Sequence, residues 1–265
     1  MVRWLNGEMV KFGNGAKKIL FGLIGFPLDH SWSAEWFTEK FRKEANVDYE
    51  YRLFPLKKIS DVADMIYNNP ELSGLNVTIP YKEQIIPFLS SLDETAKAIG
   101  AVNTIRISRN EGLILTTGFN TDAPGFRQTL SDQIPGGPAL ILGTGGVARA
   151  IAYVLKERNS TFNFVSRKRR GPGIISYSDL TSDIIGSYHF IINATPLGMY
   201  PATDQFPPIP YQLITANHFL YDLIYNPEET QFLKLGKAMK AQTKNGLQML
   251  NNQAELSYDI FLKGA

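Results

Sequence analysis

A lysine and an aspartate follow two strand-like segments of this 265-residue chain. Lys82 stands three residues past the strand-like segment 74–79, after Pro80 and Tyr81, and Asp122 ends the segment Gly118-Phe-Asn-Thr-Asp122. Ligands of open α/β sheets bind beyond the carboxyl ends of the strands, so chemistry is expected at these positions. A lysine ammonium can stabilise the negative oxygen of a carbonyl under reduction and supply its proton. The two residues are therefore candidates for acid–base work on a carbonyl or an alcohol.

Each polar group near these strand ends also has an ordinary structural interpretation. Ser31 and Ser33 stand at the start of a predicted helix, where hydroxyl groups cap the helix or bind a small anion. Asn76 and Thr78 would share one face of a strand and could converge on one ligand with Lys82. A surface lysine is usually only solvated, however, and Asp122 could simply cap the helix that follows. Spacing alone leaves both interpretations open.

A glycine-rich turn between an apolar strand and a helix predicts a dinucleotide-binding unit. The unit comprises the strand Leu140–Leu142, the glycines Gly143, Gly145 and Gly146, and a helix from Ala148 to about Glu157. Gly143 permits the tight turn, Gly145 lets the backbone approach a pyrophosphate, and Ala148 allows close packing of helix on strand. The free N–H groups of the helix then point at the phosphates. A tight strand–helix connection without a ligand is the alternative.

The next predicted strand, at 162–166, leads into the basic run Ser166–Arg170. This run lies about 20 residues past the glycines, where the ribose of the adenosine is recognised. An NAD site would place an acidic residue there, whereas Arg167 and Lys168 suit a 2′-phosphate, so the sequence favours NADP over NAD. The alternative is that the basic run is only a solvated loop. A nicotinamide, a lysine proton donor and hydroxyl-binding side chains together suggest carbonyl–alcohol redox chemistry on a polyhydroxylated substrate.

The composition argues against several other classes of protein. A net charge of +2 is too balanced to indicate a nucleic-acid partner. The absence of cysteine excludes disulfides and zinc–thiolate sites and is compatible with the cytoplasm. The three histidines lie near no nucleophile motif, and no metal-ligand spacing occurs. The apolar run 19–28 is too short to span a bilayer, so no membrane partner is expected.

Alternating strand and helix patterns predict an α/β fold that positions these residues. Ser33 and Ser60 are expected to cap the first two helices, and residues 1–18 show no clear periodicity. Strands are expected near 19–25, 49–54, 74–79, 101–108, 113–118, 140–142, 162–166, 189–193 and 218–222. Helices are expected near 33–45, 83–89, 93–99, 122–132, 148–157, 230–242 and 246–262.

From about residue 19 the chain resembles the shikimate dehydrogenases, and the matching motifs occur in the order of that family. They are Gly25-Phe-Pro27 with His30-Ser-Trp-Ser33, Asn76-Val-Thr-Ile-Pro-Tyr-Lys82, Gly100-Ala-Val-Asn-Thr104, Gly118-Phe-Asn-Thr-Asp122, Gly143-Thr-Gly-Gly-Val-Ala-Arg149, Ser166-Arg-Lys168, Asn193-Ala-Thr-Pro-Leu-Gly-Met199, Asp222-Leu-Ile-Tyr-Asn-Pro227 and Gly246-Leu-Gln-Met-Leu-Asn-Asn-Gln253. Ala34, Phe37-Thr38, Ser166 and Lys168 depart from the family pattern, in helix and adenosine contacts rather than at the reacting carbon.

The resemblance implies reversible reduction of 3-dehydroshikimate by NADPH in the biosynthesis of aromatic amino acids. It also implies two domains with a cleft between them: an N-terminal α/β substrate domain with a mixed sheet (19–121 plus 244–265) and a Rossmann-like NADP-binding domain (122–243). Residues 1–18 would be an N-terminal extension. The protein would be a cytoplasmic monomer or homodimer that acts on a small-molecule substrate and uses no metal.

Site residues are carried over from the family position by position. Lys82 and Asp122 would be the catalytic pair. The substrate would be bound by Ser31, Ser33, Asn76, Thr78, Asn103, Tyr225 and Gln253. The cofactor would be bound by Gly143, Thr144, Gly145, Gly146, Val147, Ala148, Ser166, Arg167, Lys168, Thr195, Leu223 and Gly246, the last of these near the nicotinamide.

Three related functions remain as alternatives. A quinate or dual quinate/shikimate dehydrogenase would often use NAD, which Arg167 without an acidic neighbour disfavours. A methylenetetrahydrofolate dehydrogenase shares the architecture and a catalytic lysine, but the block from Asn76 to Lys82 fits the shikimate family better. A non-catalytic ligand-binding regulator on the same fold is disfavoured because both Lys82 and Asp122 are retained.

Overall fold

The computed structural model describes residues 2–5, 8–11, 18–28, 31–130, 136–168 and 171–263. His30 of the first motif, Arg169 and Arg170 of the basic run, and Pro135 lie outside the described residues. Two short antiparallel strands, β1 (Val2–Leu5) and β2 (Glu8–Lys11), occur in the segment where the sequence shows no periodicity.

The chain divides into two compact units. The first comprises residues 1–91, 104–117 and 260–265, and the second comprises residues 92–103 and 118–259. The predicted substrate and cofactor domains, divided at 122 and 244, are defined by function and not by these contacts. That division stays a prediction.

The first half of the chain forms a six-stranded mixed sheet, as predicted. Its elements are β3 (Ile19–Gly25), α1 (Trp32–Lys43), β4 (Tyr49–Pro55), α2 (Val62–Tyr67), β5 (Leu72–Val77), β6 (Ser91–Leu92), α3 (Glu94–Ile99), β7 (Thr104–Asn110) and β8 (Leu113–Phe119). The strand order is β4-β3-β5-β7-β8-β6, with β3 parallel to β4 and β5, and β5 antiparallel to β7. The predicted hairpin turns at Glu111-Gly112, where both residues have positive φ, as a type I′ turn requires.

The second half forms a six-stranded sheet in which every pairing is parallel. Its elements are α4 (Asp122–Arg127), β9 (Ala139–Leu142), α5 (Gly146–Glu157), β10 (Phe162–Val165), β11 (Ile174–Ile175), α6 (Ser182–Ser187), β12 (Phe190–Asn193), β13 (Phe219–Asp222), α7 (Gln231–Ala238), β14 (Gln242–Lys244) and α8 (Leu247–Leu262). The strand order is β11-β10-β9-β12-β13-β14. Strand β9 contributes side chains to apolar cores on both faces, which explains its uninterrupted apolar sequence.

Several predicted element boundaries are wrong. Ser33 does not cap α1, because the helix already begins at Trp32 after the extended backbone of Ser31. Ser60 lies inside a short 3₁₀ turn (Ile59–Asp61) that precedes α2. The predicted helix at 83–89 is reduced to a 3₁₀ turn, Ile86–Phe88, because its proline cannot donate an α-helical hydrogen bond. Helix α4 ends at Arg127 instead of 132, and α7 ends at Ala238 before the unpredicted edge strand β14.

Candidate active site

Asn76 lies near the end of β5 and its side-chain amide is held on both sides. Only 6% of the residue is exposed. The Tyr51 hydroxyl donates to Asn76 Oδ1 over 2.8 Å, and Asn76 Nδ2 donates to Thr104 Oγ1 over 3.5 Å. The strand ends at Val77, one residue before Thr78, and the expectation that Asn76 and Thr78 share one face stays a prediction. The backbone of Thr78 nevertheless donates to Ile24 O over 2.9 Å, which extends the pairing with β3 by one residue.

Lys82 follows a turn that a buried tyrosine anchors. The backbone N–H of Tyr81 donates to Thr78 O over 2.9 Å, and the Tyr81 hydroxyl donates to Leu56 O over 2.6 Å. Tyr81 is buried, whereas Lys82 itself is half-buried. The position of Lys82 is therefore set by its neighbour rather than by a regular helix or strand.

Ser31 and Ser33 stand at the start of α1, and neither acts as predicted for a helix cap. Ser31 occupies the N-cap position, but its hydroxyl makes no capping hydrogen bond. Ser33 lies within the first turn of the helix. Both residues are half-buried. The capping interpretation therefore fails for both hydroxyl groups, and the anion-binding interpretation stays a prediction.

Asp122 is the first residue of α4, and its carboxylate is held by an amide. Asn103 Nδ2 donates to Asp122 Oδ1 over 3.0 Å and to Thr121 Oγ1 over 2.9 Å, and only 4% of Asp122 is exposed. The helix is capped instead by Asn120, whose Oδ1 accepts the N–H of Ala123 over 3.1 Å. The interpretation of Asp122 as a plain N-cap is therefore wrong.

Gln253 on α8 completes this polar cluster of the second unit. Its Oε1 lies 3.4 Å from Asn103 Nδ2, and its Nε2 donates to Leu250 O over 3.0 Å. The structure thus brings together three residues assigned to the site from separate motifs: Asn103, Asp122 and Gln253. Sequence reasoning missed Thr121 as a member of the cluster, although it stands within the quoted motif.

The glycine loop after β9 contains one glycine that the fold requires and one that it does not. Gly143 has a φ of +109°, and an added Cβ would lie 3.0 Å from Ala194 O. A Cβ on Gly145 would meet no atom of the described residues within 4 Å. The α5 helix begins at Gly146, so N–H groups of Gly146, Val147 and Ala148 lie in its first turn, after Thr144 and Gly145. Open space before a helix N-terminus is what the pyrophosphate of a dinucleotide needs, and these residues fit the predicted cofactor.

The two glycines should respond differently to alanine. Gly143→Ala is expected to lower the free energy of unfolding by about 1–3 kcal/mol, because alanine is strained at positive φ. Gly145→Ala is expected to cost at most about 1 kcal/mol and to raise KM for NADP by roughly tenfold, on the scale of one lost close contact. Urea unfolding and initial rates measure the two effects. Equal cofactor KM values for Gly145→Ala and the unaltered protein would contradict a pyrophosphate at this loop.

The predicted adenosine end lies directly after β10. The N–H of Lys168 donates to Ser166 Oγ over 3.3 Å, and Arg167 and Lys168 are exposed. Burial raises the pKa of Tyr177 to about 12, and the positive charge of Arg167 opposes that rise. The loop therefore presents two cations after the strand, as a 2′-phosphate reader would.

A buried carboxylate organises the ends of β12 and β13. Asp222 accepts hydrogen bonds from Ile224 N (3.0 Å), Asn193 Nδ2 (3.0 Å) and Thr230 Oγ1 (2.5 Å). Burial raises the pKa of Asp222 to about 6 although these three bonds oppose the rise. Asn193 in turn accepts from the Thr195 hydroxyl over 2.6 Å. Sequence reasoning assigned no role to Asp222. It could have been noticed because each of two apolar strands ends in a polar residue, Asn193 in β12 and Asp222 in β13.

Gly246 packs against the segment that follows β13. Its N–H donates to Ile224 O over 3.0 Å, and a Cβ would lie 2.0 Å from Leu223 O. No side chain larger than hydrogen fits there. The predicted cofactor residues Leu223 and Gly246 are therefore neighbours, and the half-buried Tyr225 lies two residues beyond Leu223.

Other kinds of site find no support in the described part of the chain. No three histidine or acidic side chains within it are grouped closely enough to hold a metal ion. No described helix combines the length and apolar character needed to cross a membrane.

Comparisons with known proteins identify what the chain is similar to. A family model described as the shikimate dehydrogenase substrate binding domain matches residues 23–105. The NADP(+) shikimate dehydrogenase of Carboxydothermus hydrogenoformans is 38% identical, over 93% of this chain and 92% of that protein. A chorismate mutase/shikimate 5-dehydrogenase fusion protein from Clostridium acetobutylicum is 36% identical, with a TM-score of 0.80 over 93% of this chain and 92% of that one. Quinate dehydrogenase from Corynebacterium glutamicum, solved with NAD, is 26% identical with a TM-score of 0.78, over 93% of this chain and 94% of that one.

Proposed function

The chain belongs to the shikimate dehydrogenase family, and we propose that it catalyses the reversible, NADPH-dependent reduction of 3-dehydroshikimate to shikimate with Lys82 and Asp122 as the catalytic pair. It is an NADP-dependent oxidoreductase of the shikimate pathway. A cytoplasmic location and a monomeric or homodimeric state are part of the proposal.

The observation that supports the assignment most strongly is the cluster around Asn103. Its amide donates to Asp122 and approaches Gln253, so one carboxylate and two amides are held together. Asp122 does not cap the helix, because Asn120 accepts the Ala123 N–H. Such a set can accept and donate hydrogen bonds to neighbouring hydroxyls of a polyhydroxylated ring. The hydroxyls of Ser31, Ser33 and Thr78, the amide of Asn76 and the side chain of Tyr225 are assigned to the rest of the substrate.

The chemistry divides between cofactor and protein. NADPH, held by the residues assigned to it, would supply a hydride for the carbonyl carbon. The Lys82 ammonium then stabilises the negative charge that develops on the carbonyl oxygen and gives that oxygen a proton. Asp122 orients Lys82 and accepts a hydrogen bond from the hydroxyl that forms. In the reverse direction neutral Lys82 takes the hydroxyl proton.

The cofactor is assigned to three groups of residues in the second unit. The Gly143–Ala148 loop would bind the pyrophosphate through backbone N–H groups. Arg167, with Ser166 and Lys168, would bind the 2′-phosphate of the adenosine. Thr195, Leu223 and Gly246 would contact the nicotinamide end.

The decisive experiment measures the rate at which shikimate reduces NADP⁺. Parallel assays replace NADP⁺ by NAD⁺, or shikimate by quinate. Fast turnover with shikimate and NADP⁺ alone is expected. In Arg167→Ala, KM for NADP⁺ should rise by about tenfold, the scale of a charge-assisted hydrogen bond, whereas KM for NAD⁺ should stay the same. An unchanged KM for NADP⁺ in this variant would remove Arg167 from the site.

A dual quinate/shikimate dehydrogenase is the second candidate, because a quinate dehydrogenase shares the fold over 93% of this chain. Turnover of quinate, or comparable rates with NAD⁺, would favour it. A folded protein that binds shikimate but turns over no pair would instead be a non-catalytic regulator.

A further inference from the structure

Ser257 is a buried hydroxyl at the back of the Asn103 cluster. It lies on α8 with 0% exposure. Its Oγ donates to Gln253 O over 2.9 Å and lies 3.0 Å from Thr121 Oγ1. A hydroxyl has one proton, and that proton already points at the Gln253 carbonyl. Ser257 must therefore accept the hydrogen bond that joins it to Thr121, so the Thr121 hydroxyl is the donor.

The direction of the hydrogen bond from Thr121 to Ser257 bears on the orientation of the Asn103 amide. The one proton of the Thr121 hydroxyl has two acceptors in reach, Ser257 Oγ at 3.0 Å and Asn103 Oδ1 at 3.2 Å, and Ser257 is the nearer. Thr121 Oγ1 in turn accepts from Asn103 Nδ2 over 2.9 Å. The backbone N–H of Thr121 donates to Asn103 Oδ1 over 2.7 Å. Both contacts select the same orientation of the Asn103 amide, the one in which Nδ2 rather than Oδ1 faces Asp122. The reversed amide would set an oxygen against the Asp122 carboxylate.

The contact with Thr121 exceeds what Ser257 needs for its own burial. A serine in a helix satisfies its donor by bonding the carbonyl four residues earlier, and Ser257 does so through Gln253 O. Its neighbours on the same helix, Ala254 and Phe261, are buried and apolar. An alanine at 257 would pack there equally well but would leave the Thr121 hydroxyl with Asn103 Oδ1, 3.2 Å away, in place of Ser257, and that oxygen already accepts the Thr121 N–H.

We propose that Ser257 is a positioning residue for the reaction: through Thr121 it orients the Asn103 amide toward Asp122 and Gln253. The inference rests on the proposed function, since it concerns the substrate-binding side chains assigned there. Ser257 itself touches neither substrate nor cofactor in this assignment.

Three variants test the proposal. Ser257→Ala removes the acceptor, Ser257→Thr retains a hydroxyl, and Thr129→Val removes an equally buried hydroxyl that bonds Phe126 O and Tyr221 but does not contact the cluster. Ser257→Ala should lower kcat/KM for shikimate by about three- to tenfold, the scale of one hydrogen bond, with KM for NADP⁺ unchanged. Ser257→Thr should recover most of the loss. Thr129→Val should change the unfolding midpoint without changing kcat/KM for shikimate.

A double variant separates positioning from general destabilisation. Because Ser257 acts through Asn103, Ser257→Ala should add no further loss of kcat/KM when Asn103 is already alanine. Additive losses, or a Ser257→Ala rate equal to that of the unaltered protein, would overturn the proposal.

The failure of the proposed function would be seen separately, as an unaltered protein that turns over no shikimate. In that case calorimetric binding of shikimate replaces the rate. Weaker binding by Ser257→Ala would still support positioning, and equal binding would overturn it. An unaltered protein that neither binds nor turns over shikimate would overturn both.

Discussion

Lys82→Ala is expected to lower kcat for the reduction of 3-dehydroshikimate by roughly 10²-fold or more, the scale on which positioned general acids act. Without the ammonium, the oxygen that gains negative charge has neither its electrostatic partner nor its proton source. Alanine retains the backbone of the turn that Tyr81 anchors, so the segment should keep its conformation. Steady-state rates at saturating substrate and cofactor measure the effect.

A matched lysine controls for the loss of charge. Lys57 is exposed in the same unit and belongs to no assigned site, so Lys57→Ala should leave kcat within about twofold. Thermal unfolding of both variants checks the fold. Near-normal turnover by Lys82→Ala would remove Lys82 from the catalytic pair, whatever the behaviour of Lys57→Ala.

Asp222→Ala is expected to lower the free energy of unfolding by about 3 kcal/mol or more, because it deprives buried donors of their acceptor. The groups concerned are Asn193 Nδ2, Ile224 N and the Thr230 hydroxyl. Urea unfolding at neutral pH measures the loss. Asp222→Asn keeps the shape and one acceptor oxygen, so it should cost less than alanine. A stability equal to that of the unaltered protein in Asp222→Ala would contradict the role of this carboxylate.

The same carboxylate predicts the direction of a pH effect. Burial raises its pKa in the folded protein to about 6, above the usual 3.8, so the folded state takes up a proton more readily than the unfolded state. The contribution of Asp222 to stability therefore increases as pH falls from about 7 to 4, by at most about 3 kcal/mol. Subtracting the Asp222→Asn curve from that of the unaltered protein isolates this contribution. Parallel curves between pH 4 and 7 would contradict the raised pKa.

The sequence was most informative where a pattern is local. The alternation of strand and helix patterns predicted the α/β fold, and the apolar run Leu140–Leu142 predicted the strand that forms β9. The glycine loop was predicted from its position between such a strand and an amphipathic helix. By contrast, β11 and β14 contain two and three residues, too few for any periodicity.

Contacts between distant segments could not be predicted from the residues themselves. Asn103 and Gln253 are 150 positions apart, and Thr121 and Ser257 are 136 apart. Resemblance to a family placed Asn103 and Gln253 in one site, but it did not identify Thr121 or Ser257. Capping failed for a different reason: Asn120 and Asp122 are both good caps by type, and only the folded backbone shows which one reaches the helix N–H groups.

Gly143, Gly145 and Gly246 differ in what their replacement in a related sequence would indicate. Gly143 and Gly246 are required by contacts within the chain itself, with Ala194 O and Leu223 O. A descendant that had lost its nucleotide would still have to keep both in order to fold. Among the described residues, no atom requires a glycine at 145. In a lineage that no longer binds a dinucleotide, drift should therefore begin at position 145, so a side chain there is a better sign of lost activity than any change at 143 or 246.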